Sequence, residues 1–170
     1  TIGNLEPVKG YEYLIKALKI VIKKEPNILC LHIGAGTLQD QLKRRANEIG
    51  VESHIKFLGR KPHNTLVDYF GASEFFVSSS LAEGNPTVMF ESLGCGKPYI
   101  GTKVGGVPDV INSQKYGLLC KPRDEQALAQ NIIDALNNHW ETEKILSYSE
   151  QYSWDNICSD ILNVYKELLK

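Results

Sequence analysis

An α/β fold built on a parallel sheet of about six strands is predicted by three observations. Short β-rich runs alternate with stretches of helical period along the whole chain. Runs such as NILCLHIG (27–34) are almost wholly apolar, as a strand covered by helices on both faces requires. Connections are short, and glycines gather at the ends of the runs, at Gly3, Gly10, Gly34, Gly36, Gly59, Gly84, Gly105 and Gly106. Together these describe a Rossmann-like doubly wound sheet, in which ligands sit beyond the carboxyl ends of the strands. The 170 residues suit one such domain with a sizeable core.

The elements follow in order. TIGNL (1–5) reads as the first strand. Leu14, Ala17, Leu18, Val21 and Ile22 then recur at helical spacing, and Pro26 closes that helix. NILCLHIG is the second strand, followed by a helix from Thr37 to Ile49 that Gly50 ends. HIKFLG (54–59) is a strand and 64–70 a short helix; EFFVSSS (74–80) is a strand and Pro86–Leu93 a helix. KPYIGT (97–102) and YGLLC (116–120) complete the sheet. A long helix spans Asp124–Leu136. Ser153 caps the last helix, with Ile157, Ile161, Val164, Tyr165 and Leu168 as its apolar stripe.

Composition excludes several classes. Nineteen basic and 20 acidic residues give a net charge of -1, which argues against a protein made to coat nucleic acid. Cys30, Cys95, Cys120 and Cys158 are far apart, so neither a zinc site nor a disulfide framework is suggested. Three of them lie in apolar runs and read as free buried thiols, which fits a reducing compartment. No apolar stretch approaches the roughly 20 residues of a membrane span. The chain opens inside an apolar run, which reads as a fragment of a longer protein.

Four stretches carry candidate chemistry. GAGTLQ (34–39) has two glycines of a dinucleotide fingerprint, but Gln39 stands at the third and a count of about twenty residues on lands near His54 rather than on an acid. A tight turn for close packing is the better reading. NLEPVKG (4–10) puts Lys9 just past the first strand, where an ammonium can meet a phosphate or remain a solvated loop charge. In LAEGNPTVMFESLGCGKP (81–98), Asn85 is a suitable N-cap and Pro86 a suitable first helical residue. The amides of Thr87, Val88 and Met89, with the helix dipole, then form an anion site suited to phosphate. Glu83 precedes that start, and Glu91 lies about 1.4 turns into the helix, near the face of Thr87. A carboxylate accepts two hydroxyl hydrogen bonds, so both acids can hold sugar or ribose diols. In TKVGGVPDVI (102–111), Gly105-Gly106 permits close backbone approach, with or without a ligand.

These residues, Glu83-Gly84, Glu91, Gly94, Gly96-Lys97-Pro98, Gly105 through Ile111 and Tyr116-Gly117-Leu118-Leu119, resemble the retaining GT-B enzymes of glycosyltransferase family 4. IGNLEPVKG, IGAG and FLG fall in the matching order. The likeness covers essentially all 170 residues, but only the C-terminal, nucleotide-sugar-binding half of such enzymes. It implies one half of a GT-B fold and a metal-independent, retaining hexosyltransferase acting in glycan, lipid-linked or polysaccharide biosynthesis. It implies a UDP-, GDP- or ADP-sugar as co-substrate, with no resident cofactor. By the same likeness Glu83 is catalytic and holds the donor sugar, while Glu91 holds the ribose. Lys9 neutralises the diphosphate, and the loop of Gly84, Asn85 and Pro86 delivers the Thr87 and Val88 amides to it. Gly59, Arg60 and Lys61 pack around the base. Asn4 stands where many members carry a diphosphate-binding Arg, Asn85 where many carry an aromatic residue, and Asp109 where Glu is usual. The expected partner is the enzyme's own N-terminal domain, against which Tyr152 and Trp154 would pack, with Tyr165 read as core. Location is expected in the cytoplasm, at the inner face of the membrane through that domain, with no nucleic acid partner. Alone, the chain is expected to be inactive. Alternatives are an NAD-type Rossmann or nucleotide-sugar-modifying enzyme, and a non-catalytic nucleotide-binding module.

Overall fold

A computed structural model of the chain describes residues 1–169. Among the described residues five strands form two parallel sheets, one of two strands and one of three, rather than a single sheet of about six. β1 (Cys30–His32) pairs β2 (Ile55–Phe57); β3 (Phe76–Ser78) pairs β4 (Tyr99–Thr102), which pairs β5 (Gly117–Cys120). The expected first strand is a sixth parallel segment, recorded as the single bridge Ile2↔Ile33. Gly3 and Leu5 donate to the carbonyls of Ile33 and Ala35 at 2.9 and 3.1 Å, and Ile33 donates to Thr1 O at 2.9 Å. That is the evenly spaced pattern of a parallel ladder.

The sheet is covered on both faces, as the apolar runs demanded. Along β4, Tyr99 enters one apolar cluster and Ile100 the other. Phe76 and Val77 of β3 divide in the same way. Successive side chains of a strand point to opposite faces, so two cores lie on the two sides of the three-stranded sheet β3-β4-β5. The first core takes α1 (Tyr11–Val21), α2 (Gln39–Ile49) and α6 (Glu125–Asn137). The second takes α3 (Leu66–Gly71), α4 (Thr87–Gly94), α5 (Val107–Val110) and α7 (Thr142–Ser149). α7 was not foreseen; its fully buried Ile145 attaches it. Met89 and Leu93 are fully buried and fix α4, each contributing roughly 1.5–3 kcal/mol by apolar burial.

Gly50 and Ser153 act as expected, α1 ends at Val21 before Pro26 is reached, and the start of α4 differs from expectation. Gly50 ends α2 in the left-handed conformation. Asp124 accepts from the Ala127 amide at 2.9 Å, and Ser153 from the Asn156 amide at 3.4 Å, as N-caps. At α4 the cap position falls on Pro86, in extended conformation, and no side chain caps it. Asn85 is therefore not the N-cap. Its amide is packed against Gly106 instead, so it serves the neighbouring loop.

α8 (Trp154–Leu168) has no buried residue. Tyr165 is exposed rather than core, because nothing among the described residues packs across it. Trp154 is 81% exposed, while Tyr152 lies among Phe90 and Tyr148, with its ring centroid 5.0 Å from that of Phe90. The four cysteines are free; Cys120 is buried, Cys30 and Cys95 are half-buried, and Cys158 is exposed on α8. No described helix is long and apolar enough to cross a membrane.

Candidate functional site

A cavity of about 370 Å³ is not the candidate site. It is lined by Ile2, Leu29, Cys30, Phe75 and Phe76, at the amino ends of β1 and β3. The glycine-rich loops and the charged residues lie at the opposite, carboxyl edge.

There, the loop after β3 is gripped from both sides. Leu81 donates its amide to Val8 O at 2.7 Å, and Gly106 donates to Gly84 O at 2.9 Å. Gly105 has φ +50, and a side chain there would run into the carbonyls of Glu83 and Gly84. Glycine at that position permits the close backbone approach expected of the Gly-Gly pair. The grip fixes Glu83, whose Oε1 accepts from Lys9 Nζ at 2.6 Å and from Ser80 Oγ at 2.6 Å. The pair is partly buried, with side-chain exposures of 25% for Lys9 and 12% for Glu83. Low local dielectric strengthens such a bond and makes an unpartnered carboxylate costly. A pocket of about 10 Å³, room for about one water, is lined by Lys9, Tyr11, Ser78, Ser80, Glu83 and Val88. It joins the ion pair to the first turn of α4. Burial pushes the Tyr11 phenol well above its usual range, so it stays neutral.

The amides of Thr87 and Val88 open α4 with no backbone acceptor among the described residues, whereas the Met89 amide is bonded to Pro86 O at 3.0 Å. Two free amides, not three, therefore face the anion position at a positive helix end. Glu91 lies one turn on, 30% exposed, with His63 Nδ1 at 3.9 Å. That contact is an ion pair only when the imidazole is protonated.

The structure brings some predicted residues together and leaves others apart. Lys9 meets Glu83, and Gly84 and Asn85 meet Gly105 and Gly106. Gly59, at φ +70, accepts from the Gly34 amide at 2.9 Å and so ties the base loop to the turn after β1. Arg60 and Lys61 are exposed and form no ion pair within 4.0 Å among the described residues. Asn4 is exposed, and its carbonyl accepts from the Glu6 amide at 2.9 Å. Sequence reasoning missed His63 and Ser80. The signal for His63 was its place two residues beyond Lys61 in the loop after β2. For Ser80 it was three consecutive serines at a strand end, all buried. No group of three or more metal-ligating side chains occurs among the described residues.

The GAGTLQ turn is filled by the chain itself. A side chain on Gly36 would collide with the backbone of Leu5, and the Leu38 amide donates to Leu5 O at 3.1 Å. Close packing of turn on strand is the role of that glycine.

Known proteins share this sequence pattern and fold. The family model described as "Glycosyl transferases group 1" matches residues 1–152. An uncharacterized glycosyltransferase of Methanocaldococcus jannaschii is 29% identical over 170 residues, covering 97% of this chain and 43% of that protein. The pneumococcal O-GlcNAc transferase GtfA, solved with UDP and GlcNAc, superposes with a TM-score of 0.85 at 21% identity, over 99% of this chain and 35% of that one. The C-terminal domain of a glycosyl transferase group 1 family protein from Francisella tularensis superposes with a TM-score of 0.73 at 22% identity, over 93% of this chain and 83% of that one. The chain thus spans less than half the length of the curated relatives it matches.

Proposed function

The chain belongs to the glycosyl transferases group 1 family, with the fold of one half of a GT-B enzyme, and we propose that it is the donor-binding half of a retaining hexosyltransferase. The observation that carries this reading is the Lys9–Glu83 pair beside two free amides of α4, with Glu91 one turn further on. A nucleoside diphosphate sugar fits that order. The diphosphate meets Thr87 N, Val88 N and Lys9; Glu91 accepts from the ribose hydroxyls, and Glu83 from hydroxyls of the hexose. Gly59, Arg60 and Lys61 flank the base. UDP, GDP and ADP are the candidate nucleotides.

In the transfer, the acceptor oxygen bonds to the anomeric carbon on the face from which the phosphate departs, which keeps the configuration, and the acceptor's hydroxyl proton passes to the phosphate oxygen whose bond to the sugar breaks. Negative charge develops on the leaving diphosphate as that bond breaks, beside the ammonium and the helix amides. Preorganised donors of this kind do work that a metal performs elsewhere, so we assign the chain no metal or cofactor. The acceptor site is assigned to an N-terminal domain of a longer enzyme. The exposed apolar stripe of α8 supports this, with Ile161, Val164, Tyr165 and Leu168 bare. We place the enzyme in the cytoplasm, with any membrane contact made through that other domain, and expect the chain alone not to turn over. An NAD-type reading is disfavoured by the Gly36 turn, which Leu5 already fills.

Calorimetry with UDP, GDP, ADP and NAD tests the reading, on wild type and Glu91→Ala. One nucleoside diphosphate should bind, and the substitution should weaken it about tenfold or more, as loss of hydrogen bonds to a charged group does. Binding of NAD alone, or of no nucleotide, would refute the reading.

A further inference from the structure

We propose that Ser80 is a positioning residue that holds the Glu83 carboxylate in place when Lys9 leaves it for the donor diphosphate. The inference rests on the donor-site reading above. In the structure Lys9 is engaged with Glu83 at 2.6 Å, so a diphosphate has to draw the ammonium away. Glu83, 12% exposed, would then face desolvation without its cation. Ser80 Oγ donates to the same Oε1 at 2.6 Å and remains.

Three features suit Ser80 to this and Lys9 to movement. Ser80 is buried on a short side chain, and its own carbonyl accepts from the buried Thr102 hydroxyl at 2.6 Å. Its hydroxyl accepts from Ser78 Oγ at 3.2 Å, so its proton is directed onward to Glu83. The backbone of Lys9 is anchored, its carbonyl accepting from Ser79 Oγ at 3.0 Å, while its ammonium is held by Glu83 alone among the described residues. Releasing that one contact lets the side chain pivot about the anchor. The three buried serines at the end of β3 thus divide the work: Ser79 fixes the root of the lysine, while Ser80, oriented by Ser78, fixes the acid. Both recorded donors take Oε1, which leaves Oε2 for a sugar hydroxyl.

Two measurements test this on the 170-residue chain. The first is calorimetry of UDP against UDP-glucose and UDP-N-acetylglucosamine, and of GDP against GDP-mannose. Ser80→Ala should weaken nucleoside diphosphate binding, because drawing Lys9 away then leaves Glu83 without either donor, and should also reduce the extra affinity given by the sugar about tenfold. Ser80→Thr, which keeps the hydroxyl, should restore both. An unchanged sugar increment in Ser80→Ala would overturn the proposal, as would an unchanged affinity for the nucleoside diphosphate. The second needs no nucleotide. Urea midpoints are compared for Ser80→Ala made in wild type and in Lys9→Met. Removing the serine should lower the midpoint more in the Lys9→Met background, where Ser80 is the remaining partner of Glu83, and this difference should vanish with Glu83→Gln. Additive effects would overturn the proposal. If wild type binds none of these nucleotides, the donor reading fails while the urea cycle still decides the role of Ser80.

Discussion

His32 makes stability depend on pH in a calculable way. It sits at the carboxyl end of β1, fully buried, and neither ring nitrogen has a hydrogen-bond partner among the described residues. Its ring packs edge-on to Tyr11 at 4.6 Å and lies 5.6 Å from Phe57. Burial lowers its pKa from 6.5 to about 4, with a smaller push from the amino group of Thr1. As pH falls below about 6.5 the unfolded chain takes up a proton that the folded chain refuses. The stability due to the neutral ring is therefore complete above 6.5, declines as pH falls, and stops declining below about 4. At about 1.4 kcal/mol for each pH unit between the two values, the loss amounts to about 3 kcal/mol. Urea unfolding of wild type and His32→Leu between about pH 7.5 and 4 isolates the effect, since other groups titrate in both proteins. Wild type should lose about 3 kcal/mol more than the variant over that range. Parallel pH profiles would show that the ring is not held neutral by burial.

Three further outcomes are expected. Gly105→Ala, at φ +50 against the Glu83 and Gly84 carbonyls, should cost about 1–3 kcal/mol in urea unfolding and weaken nucleotide-sugar binding; unchanged affinity would mean that this loop does not hold the acid. Asp124→Ala removes the N-cap of α6 and should cost about 1 kcal/mol, read as a lower urea midpoint with nucleotide binding intact. Tyr148→Phe loses the 2.6 Å bond to Val110 O and the contact with the Tyr152 hydroxyl at 3.0 Å, and should cost about 1–2 kcal/mol; no change would mean that water replaces the phenol there.

The sheet and its helices were legible because burial on two faces writes itself into the chain as apolar runs and a 3.6-residue period. Local chemistry was legible too, at Gly50 and Ser153, because each acts on atoms within a few residues. What escaped depended on contacts across the fold. Lys9 and Glu83 are 74 residues apart, and no periodicity announces that one will neutralise the other. Ser79 and Ser80 read as strand, but they lie just past β3 and their hydroxyls serve two different loops. Asn85 looked like a cap because its residue type is right, but Pro86 in extended conformation carries the start of α4 one residue on. Tyr165 looked like core because a helical stripe shows that an apolar face exists, not what covers it.

A crystal structure of this chain with a nucleoside diphosphate sugar tests the central claim most directly. The account predicts the diphosphate on the Thr87 and Val88 amides with Lys9 turned toward it, the ribose on Glu91, and the hexose on Glu83, still bonded to Ser80. A diphosphate seated on the Gly34–Gly36 turn, or a sugar out of reach of Glu83, would contradict it.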